Sequence, residues 1–269
     1  MKIRAIGTGS SFCRHPLVTP CFLVQTSESN IVIGCGPNIP AKLESIGIDS
    51  VDMWVIPSTS LEQVGGLLEV LKDPRLLGNP YLVGPANVLS CVESTLRATD
   101  RARLSDRFNV QPAHRIRVED ENTNETIKLI QRTEDLSQGH DILFEDAKLF
   151  ISNSAPSEDP AFLENLGKAK LILQRWDADS CFSDTLPQDA LHKTWLFAYP
   201  DHYRDLTEPK PLLFLPQGTC VYDSTRRDAY LDKERFVREA GRRLLGTQAS
   251  AHHKLSPTPQ SYSDAIKGF

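Results

Sequence analysis

The stretch that decides the fold is Pro57-Ser58-Thr59-Ser60-Leu61-Glu62-Gln63-Val64-Gly65-Gly66-Leu67. It follows a short apolar run, 52–56, that reads as a buried strand. It opens a segment, 61–71, whose apolar spacing predicts one helix stopped near Asp73-Pro74. Three hydroxyl residues before Leu61 are natural helix N-caps. Their rival reading is a cradle for a small anion, because an exposed helix start offers unpaired N–H groups. Ser58, Thr59 and Ser60 are therefore the candidate ligand-binding residues. Glu62 reads either as a solvated carboxylate favoured by the helix dipole or as a contact to a ligand or partner.

Outward from this stretch, strands and helices alternate in two loosely similar halves. Strand 2–6 runs into the turn Gly7-Thr8-Gly9-Ser10-Ser11, and strands 21–26 and 30–33 are joined by Ser27-Glu28-Ser29. Gly34-Cys35-Gly36-Pro37 leads into a helix with Ile39, Leu43 and Ile46 at helical spacing, capped by Gly47. Strand 81–83 and helix 86–99 complete the first half. The second half reads as strands 124–131, 141–144, 147–151, 169–174, 195–199 and 211–215, with helices 159–166 and 232–245. The pattern predicts a four-layer α/β sandwich, helices outside two facing sheets, over a single domain 1–245. Residues 246–269 are dominated by Ser, Thr, Pro, Gln and His and read as a flexible polar tail, whose Tyr262, Ala265, Ile266 and Phe269 could dock on a partner.

Composition narrows the function classes. Of 269 residues, 40% are apolar and 24% charged, ordinary for a soluble domain with a sizeable core. A net charge of −5 argues against nucleic acid as a partner, which needs a concentrated basic patch. Arg97, Arg101, Arg103 and Arg107 read as the solvated face of a helix. No run approaches the roughly 20 apolar residues that span a bilayer, and the start lacks a signal-peptide core. Those readings place the chain in the cytoplasm, away from membranes. Cys13, Cys21, Cys35, Cys91, Cys181 and Cys220 show no CxxC spacing and read as free thiols.

The segments Ile6-Gly7-Thr8-Gly9-Ser10-Ser11, Ile31-Val32-Ile33-Gly34-Cys35-Gly36-Pro37 and 57–67 together carry a resemblance. They are similar to the first half of a metallo-β-lactamase-superfamily hydrolase, in the branch that resembles ribonuclease Z, and the likeness runs to about residue 225. It implies the αββα metallo-β-lactamase fold. That branch has a His-x-His-x-Asp-His metal motif where this chain has Ser58, Ser60, Glu62 and Gln63. Gly34 stands for its usual Asp. The strand 149–154 resembles one ending in Gly-Asp-Thr, which puts Asn153 at the metal-bridging position. Tyr199, after Leu196-Phe197-Ala198, falls on the last metal-binding His, and Thr133 near the third-motif His.

Ser hydroxyls and a Gln amide are poor zinc ligands, and a neutral amide cannot draw two cations together as a carboxylate does. The resemblance thus implies a fold without its metal: no cofactor, no metal and no hydrolytic turnover, a pseudoenzyme. The expected role is a regulatory or scaffold protein that binds another protein, with homodimerisation implied by the family. Two alternatives stay open. One is a metal-free sensor for a nucleotide or phosphorylated small molecule. The other is a hydrolase with a relocated site, for which His140-Asp141 and Asp201-His202 are candidates. Ser183, Asp184 and His192 lack the Gly-x-Ser-x-Gly elbow of a serine hydrolase. Trp176, between Arg175 and Asp177, reads as a core anchor or an interface aromatic.

Overall fold

The computed structural model describes residues 1–10, 18–72, 80–100, 103–121, 123–132, 134–137, 139–153, 158–175, 186–198, 213–215, 217–226, 228–232 and 235. The first half forms β1 (Lys2–Gly7), β2 (Cys21–Gln25), β3 (Asn30–Ile33), β4 (Met53–Val55), β5 (Tyr81–Gly84) and β6 (Asn109–Pro112). Between them lie α1 (Ile39–Ser45), α2 (Leu61–Val64), α3 (Leu67–Lys72) and α4 (Ala86–Asp100). The second half forms β7 (Arg115–Asp120), β8 (Thr123–Ile130), β9 (Asp141–Phe144), β10 (Leu149–Ser152), β11 (Leu171–Arg175), β12 (Thr194–Phe197) and β13 (Leu213–Phe214). Two further helices, α5 (Pro160–Lys168) and α6 (Gln188–Leu191), follow β10 and β11. Strand β14 (Cys220–Asp223) returns to pair antiparallel with β1.

Among the described residues, one sheet has the order β14-β1-β2-β3-β4-β5-β6 and the other β13-β12-β11-β10-β9-β8-β7. Side-chain alternation along each strand decides what each sheet packs against. Ile3 and Ala5, Phe22 and Val24, Ile31 and Ile33, and Val55 point to one shared core. They meet Ile127 and Leu129, Ile142 and Phe144, Leu149 and Ile151, Leu171 and Leu173, and Trp195 and Phe197 from the other sheet. The intervening residues of the first sheet, Leu23, Val32, Trp54 and Leu82, face α1, α3 and α4. Those of the second, Phe150, Ile172 and Leu196, face α5 and α6. Three apolar layers between four polar-faced ones is the expected αββα sandwich. No helix among the described residues is long and apolar enough to cross a membrane.

Strands β3 to β6 run parallel, as do β10 to β13. Covered on both faces, β3 to β5 and β10 to β12 read as near-continuous apolar runs, which is why the sequence exposes them, whereas β6 is largely exposed. Their carboxyl ends open on the same side of the sandwich and carry the residues at issue: Pro57 and Ser58 after β4, Asn153 after β10, and Arg175 closing β11.

Three differences from the sequence reading have physical causes. The segment 61–71 is two helices rather than one, interrupted at Gly65-Gly66. There the backbone pairs with the 34–36 turn, Cys35 N–H donating to Gln63 O and Gly66 N–H to Cys35 O, each at 2.7 Å. A Cβ on Gly66 would lie 2.3 Å from the Gly36 carbonyl oxygen, so only glycine permits the approach. Strands β6, β7 and β14 go unread in the sequence. The basic set also divides: Arg97 lies on α4 and pairs with Glu93 at 2.8 Å, while Arg103 and Arg107 flank the 3-10 turn Leu104–Asp106. Arg101, all but residues 232 and 235 of the helix expected at 232–245, and the tail 246–269 lie outside the described residues.

The thiols follow the core. Cys21 and Cys35 are buried, Cys220 is half-buried and Cys91 exposed, all free. Burial pushes the Cys21 and Cys35 thiols well above the usual range, so both stay protonated and act as small apolar groups.

Phe22 and Phe197 meet edge to face across the two sheets with ring centroids 5.5 Å apart. Phe197→Ala should cost about 3–5 kcal/mol, as expected for a buried aromatic truncated to a cavity. Urea unfolding of the variant checks this, and a loss below 1 kcal/mol would deny that this pair joins the sheets.

Candidate functional site

The site is built where the ends of β4, β10 and β11 meet α2. Ser58 is buried and its hydroxyl is fully committed. It donates toward Ser60 Oγ at 2.9 Å or the Ser137 carbonyl oxygen at 3.2 Å, and accepts from the Ser60 backbone N–H at 2.9 Å. The cap differs from the one expected. Ser60 holds the N-cap position of α2 but makes no side-chain cap bond, and Ser58 does the local bonding instead. Thr59 is fixed by its backbone N–H to Leu136 O at 3.0 Å. α2 is four residues long, so little helix dipole accumulates at its start.

Glu62 is where structure and expectation part most. One reading made it a solvated carboxylate, yet its side chain is only 3% exposed. Its Oε2 lies 2.6 Å from Nη1 of Arg175, whose side chain is 30% exposed. A buried carboxylate needs such a cation, since a charge taken out of water is otherwise very costly. Arg175 was quoted in the sequence only as a neighbour of Trp176. The signal for its role, a cation ending a parallel strand, is visible only once the strand is placed.

Gln63 turns inward, its Nε2 3.4 Å from the Pro20 carbonyl oxygen. Its Oε1 fills the space beside Gly34, where an added Cβ would come within 2.2 Å. Gly34 sits at φ +81°, a left-handed conformation that favours glycine. Residues 34 and 63 therefore share one volume: the amide at 63 occupies what a side chain at 34 would need.

Asn153 donates from Nδ2 to the His140 carbonyl oxygen at 2.7 Å, and its backbone N–H donates to Asp141 Oδ1 at 2.8 Å. Asp141, fully buried, takes Arg132 Nη1 on its other oxygen at 3.1 Å. The Arg132 guanidinium also stacks over the Phe162 ring at 3.9 Å from the centroid. Asp141 is thus spent on Arg132 and Asn153 and is not a ligand in waiting. His140 is buried beside it, its Nδ1 2.9 Å from the Pro57 carbonyl oxygen. Burial lowers its pKa despite that bond, and the nearby His114 lowers it further.

The structure therefore brings together Ser58, Ser60, Glu62, Gln63 and Asn153 with Arg132, His140, Asp141 and Arg175. Tyr199, Thr133, Asp201, His202, Trp176, Asp177, Ser183 and Asp184 lie outside the described residues. His192 is exposed at the end of α6.

Among the described residues, the side chains at the aligned positions do not fit the dinuclear zinc of the resembled branch. Zinc takes imidazole, thiolate or carboxylate. Here the hydroxyl of Ser58 and the amides of Gln63 and Asn153 are engaged by backbone groups. Of the two carboxylates here, Glu62 faces the Arg175 guanidinium and Asp141 is engaged by Arg132 and the Asn153 N–H.

With this geometry in view, comparison with known proteins places the chain. No family model matches it. It is 31% identical over 97 residues to the anti-Pycsar protein Apyc1 of Bacillus phage BSP38, covering 35% of this chain and 36% of that protein. The Apyc1 of Bacillus phage vB_BsuM-Goe3 is 32% identical over 85 residues, 31% of each chain. The chain thus matches about a third of the length of these curated relatives. Among solved structures, a diphosphatase from the PhnP family superposes with a TM-score of 0.62 at 14% identity, covering 86% of this chain and 99% of that one. The metallo-β-lactamase-fold protein YhfI from Bacillus subtilis gives 0.58 at 12% identity, covering 81% and 98%. Human tRNase Z, short form, gives 0.54 at 10% identity, covering 82% and 98%. This protein has the metallo-β-lactamase fold. Its structural neighbours are members of that superfamily, PhnP-like and tRNase Z-like proteins among them.

Two sets of variants test the geometry. Arg175→Ala should destabilise more than Glu62→Gln, by roughly 2–3 against about 1 kcal/mol, because it strands the more deeply buried charge. Equal losses in chemical denaturation would mean the pair is not coupled. Asn153→Asp should also destabilise, by about 1–3 kcal/mol, since it sets a carboxylate against the His140 carbonyl oxygen. Thermal melting at neutral pH reads this, and a stabilised variant would overturn the assigned amide orientation.

Proposed function

We propose that this protein is a metal-independent metallo-β-lactamase-fold protein without hydrolytic turnover, whose converted site serves binding and regulation of another protein. The observation that carries this is the Glu62–Arg175 contact at 2.6 Å. A fixed side-chain cation stands against the carboxylate at a position that aligns with the metal motif. The aligned hydroxyl and amide side chains turn to the protein's own backbone rather than to a shared point. Leu61, next to Glu62 in the chain, is 64% exposed, which leaves an apolar side chain for a partner protein to cover.

A second reading has its own support. Arg175 is partly exposed, so its guanidinium can meet an anion from solvent as well as Glu62. That favours a metal-free binder of a nucleotide or phosphorylated small molecule. The diphosphatase among the structural neighbours supports phosphate chemistry as the ligand class. The partial likeness to anti-Pycsar proteins supports a related role against that system, with a hydrolase as the remaining alternative.

Turnover decides between binding and hydrolysis. The purified chain, supplied with zinc or manganese, should not hydrolyse bis(p-nitrophenyl) phosphate above the metal-only background. The combined variant Ser58→His, Ser60→His, Glu62→Asp and Gln63→His should not do so efficiently either, because Asn153 and Arg175 remain. Multiple turnovers by the unaltered protein would sink the non-hydrolytic reading. For the second reading, saturable calorimetric binding of pyrophosphate that disappears in Arg175→Ala is the expected result.

A further inference from the structure

Beside the site, His140 is a buried imidazole with one nitrogen uncommitted. The residue is 1% exposed, and its Nδ1 meets the Pro57 carbonyl oxygen, which can only accept. Nδ1 is therefore the protonated nitrogen and Nε2 presents its lone pair. Among the described residues no hydrogen-bond donor reaches that Nε2. Buried acceptors are nearly always satisfied, so an orphan of this kind calls for an occupant.

The second observation is His114, on the Ala113-His114 connection that carries the chain from β6 in one sheet to β7 in the other. Its ring centroid lies 5.8 Å from that of His140, with the planes at 45°. His114 is exposed, so its ring can adjust. Two imidazoles sharing one ion at bonds of about 2.0–2.1 Å have centroids about 5–6 Å apart.

We propose that His114 and His140 form a two-imidazole site for a borderline divalent cation of the zinc class. The bond from Nδ1–H to a backbone carbonyl is the orientation that metal-ligating histidines take, fixing tautomer and ring plane. Among the described residues no third His, Cys, Asp or Glu joins them, so water completes the shell. The ion would clip the inter-sheet connection to the 139–140 loop. The His140 carbonyl in that loop holds Asn153 and its ring holds Pro57, so the ion would stiffen two walls of the neighbouring site. This inference does not rest on the non-hydrolytic reading.

The test is calorimetric titration of the full chain with zinc alone after chelator treatment, on wild type, His114→Ala and the double variant Ser58→Ala/Gln63→Ala. His114 is exposed, so its variant should fold and melt like wild type without metal. The expected result is one zinc equivalent in wild type, weakened at least tenfold in His114→Ala and unchanged in the double variant. Long-range nitrogen NMR of the metal-free protein should show His140 as the Nδ1–H tautomer. Identical isotherms for wild type and His114→Ala, or no bound equivalent in wild type, would overturn the proposal. Loss of binding in the double variant instead would place the zinc at Ser58 and Gln63, overturning both this site and the metal-independent reading.

Discussion

Two sheets share one apolar interface, and the placing of every polar group at the strand ends depends on it. Because alternate residues of both sheets are committed to that interface, the strands cannot shift by one residue without turning their apolar sets outward. Register is therefore fixed, and with it the positions at which β4, β10 and β11 end. The site inherits its precision from the packing of Phe22 on Phe197, and of Trp195, Leu149 and Ile151 around them. Its own hydrogen bonds refine an arrangement already imposed.

Within that frame the dominant local constraint is charge. Glu62 and Asp141 are both buried carboxylates, and each is answered by an arginine: Arg175 for the first and Arg132 for the second. Arg175 reaches Glu62 from the other half of the chain, whereas Arg132 lies nine residues before Asp141. A guanidinium is charged at any relevant pH and offers directed donors, so it can stabilise a buried anion without a bound ion.

Much of the fold is legible in the sequence because its parallel strands are buried on both faces. Runs such as Ile31-Val32-Ile33 and Leu171-Ile172-Leu173 announce themselves without any partner. Strand β7 hides because Arg115, Arg117 and Glu119 alternate with only Ile116 and Val118, the pattern of a sheet edge wet on one side. Strand β14 hides because its pairing partner lies over 200 residues away. The break in 61–71 is legible only as two glycines, and its cause is a backbone approach from residues 35 and 36. At the site, the aligned positions could be named in advance from the resemblance. What occupies their side chains could not, because Arg175 reaches Glu62, the Pro20 carbonyl Gln63 and the His140 carbonyl Asn153 through the fold.

The shared volume at positions 34 and 63 bears on the order in which changes can accumulate. An acidic side chain at 34 meets the Gln63 amide, while replacing Gln63 first leaves a gap beside a glycine held at positive φ. Because the two positions share one volume, substitutions at 34 and 63 should be non-additive. With Glu62 tied to Arg175 next door, a single change in this corner disturbs more than one contact.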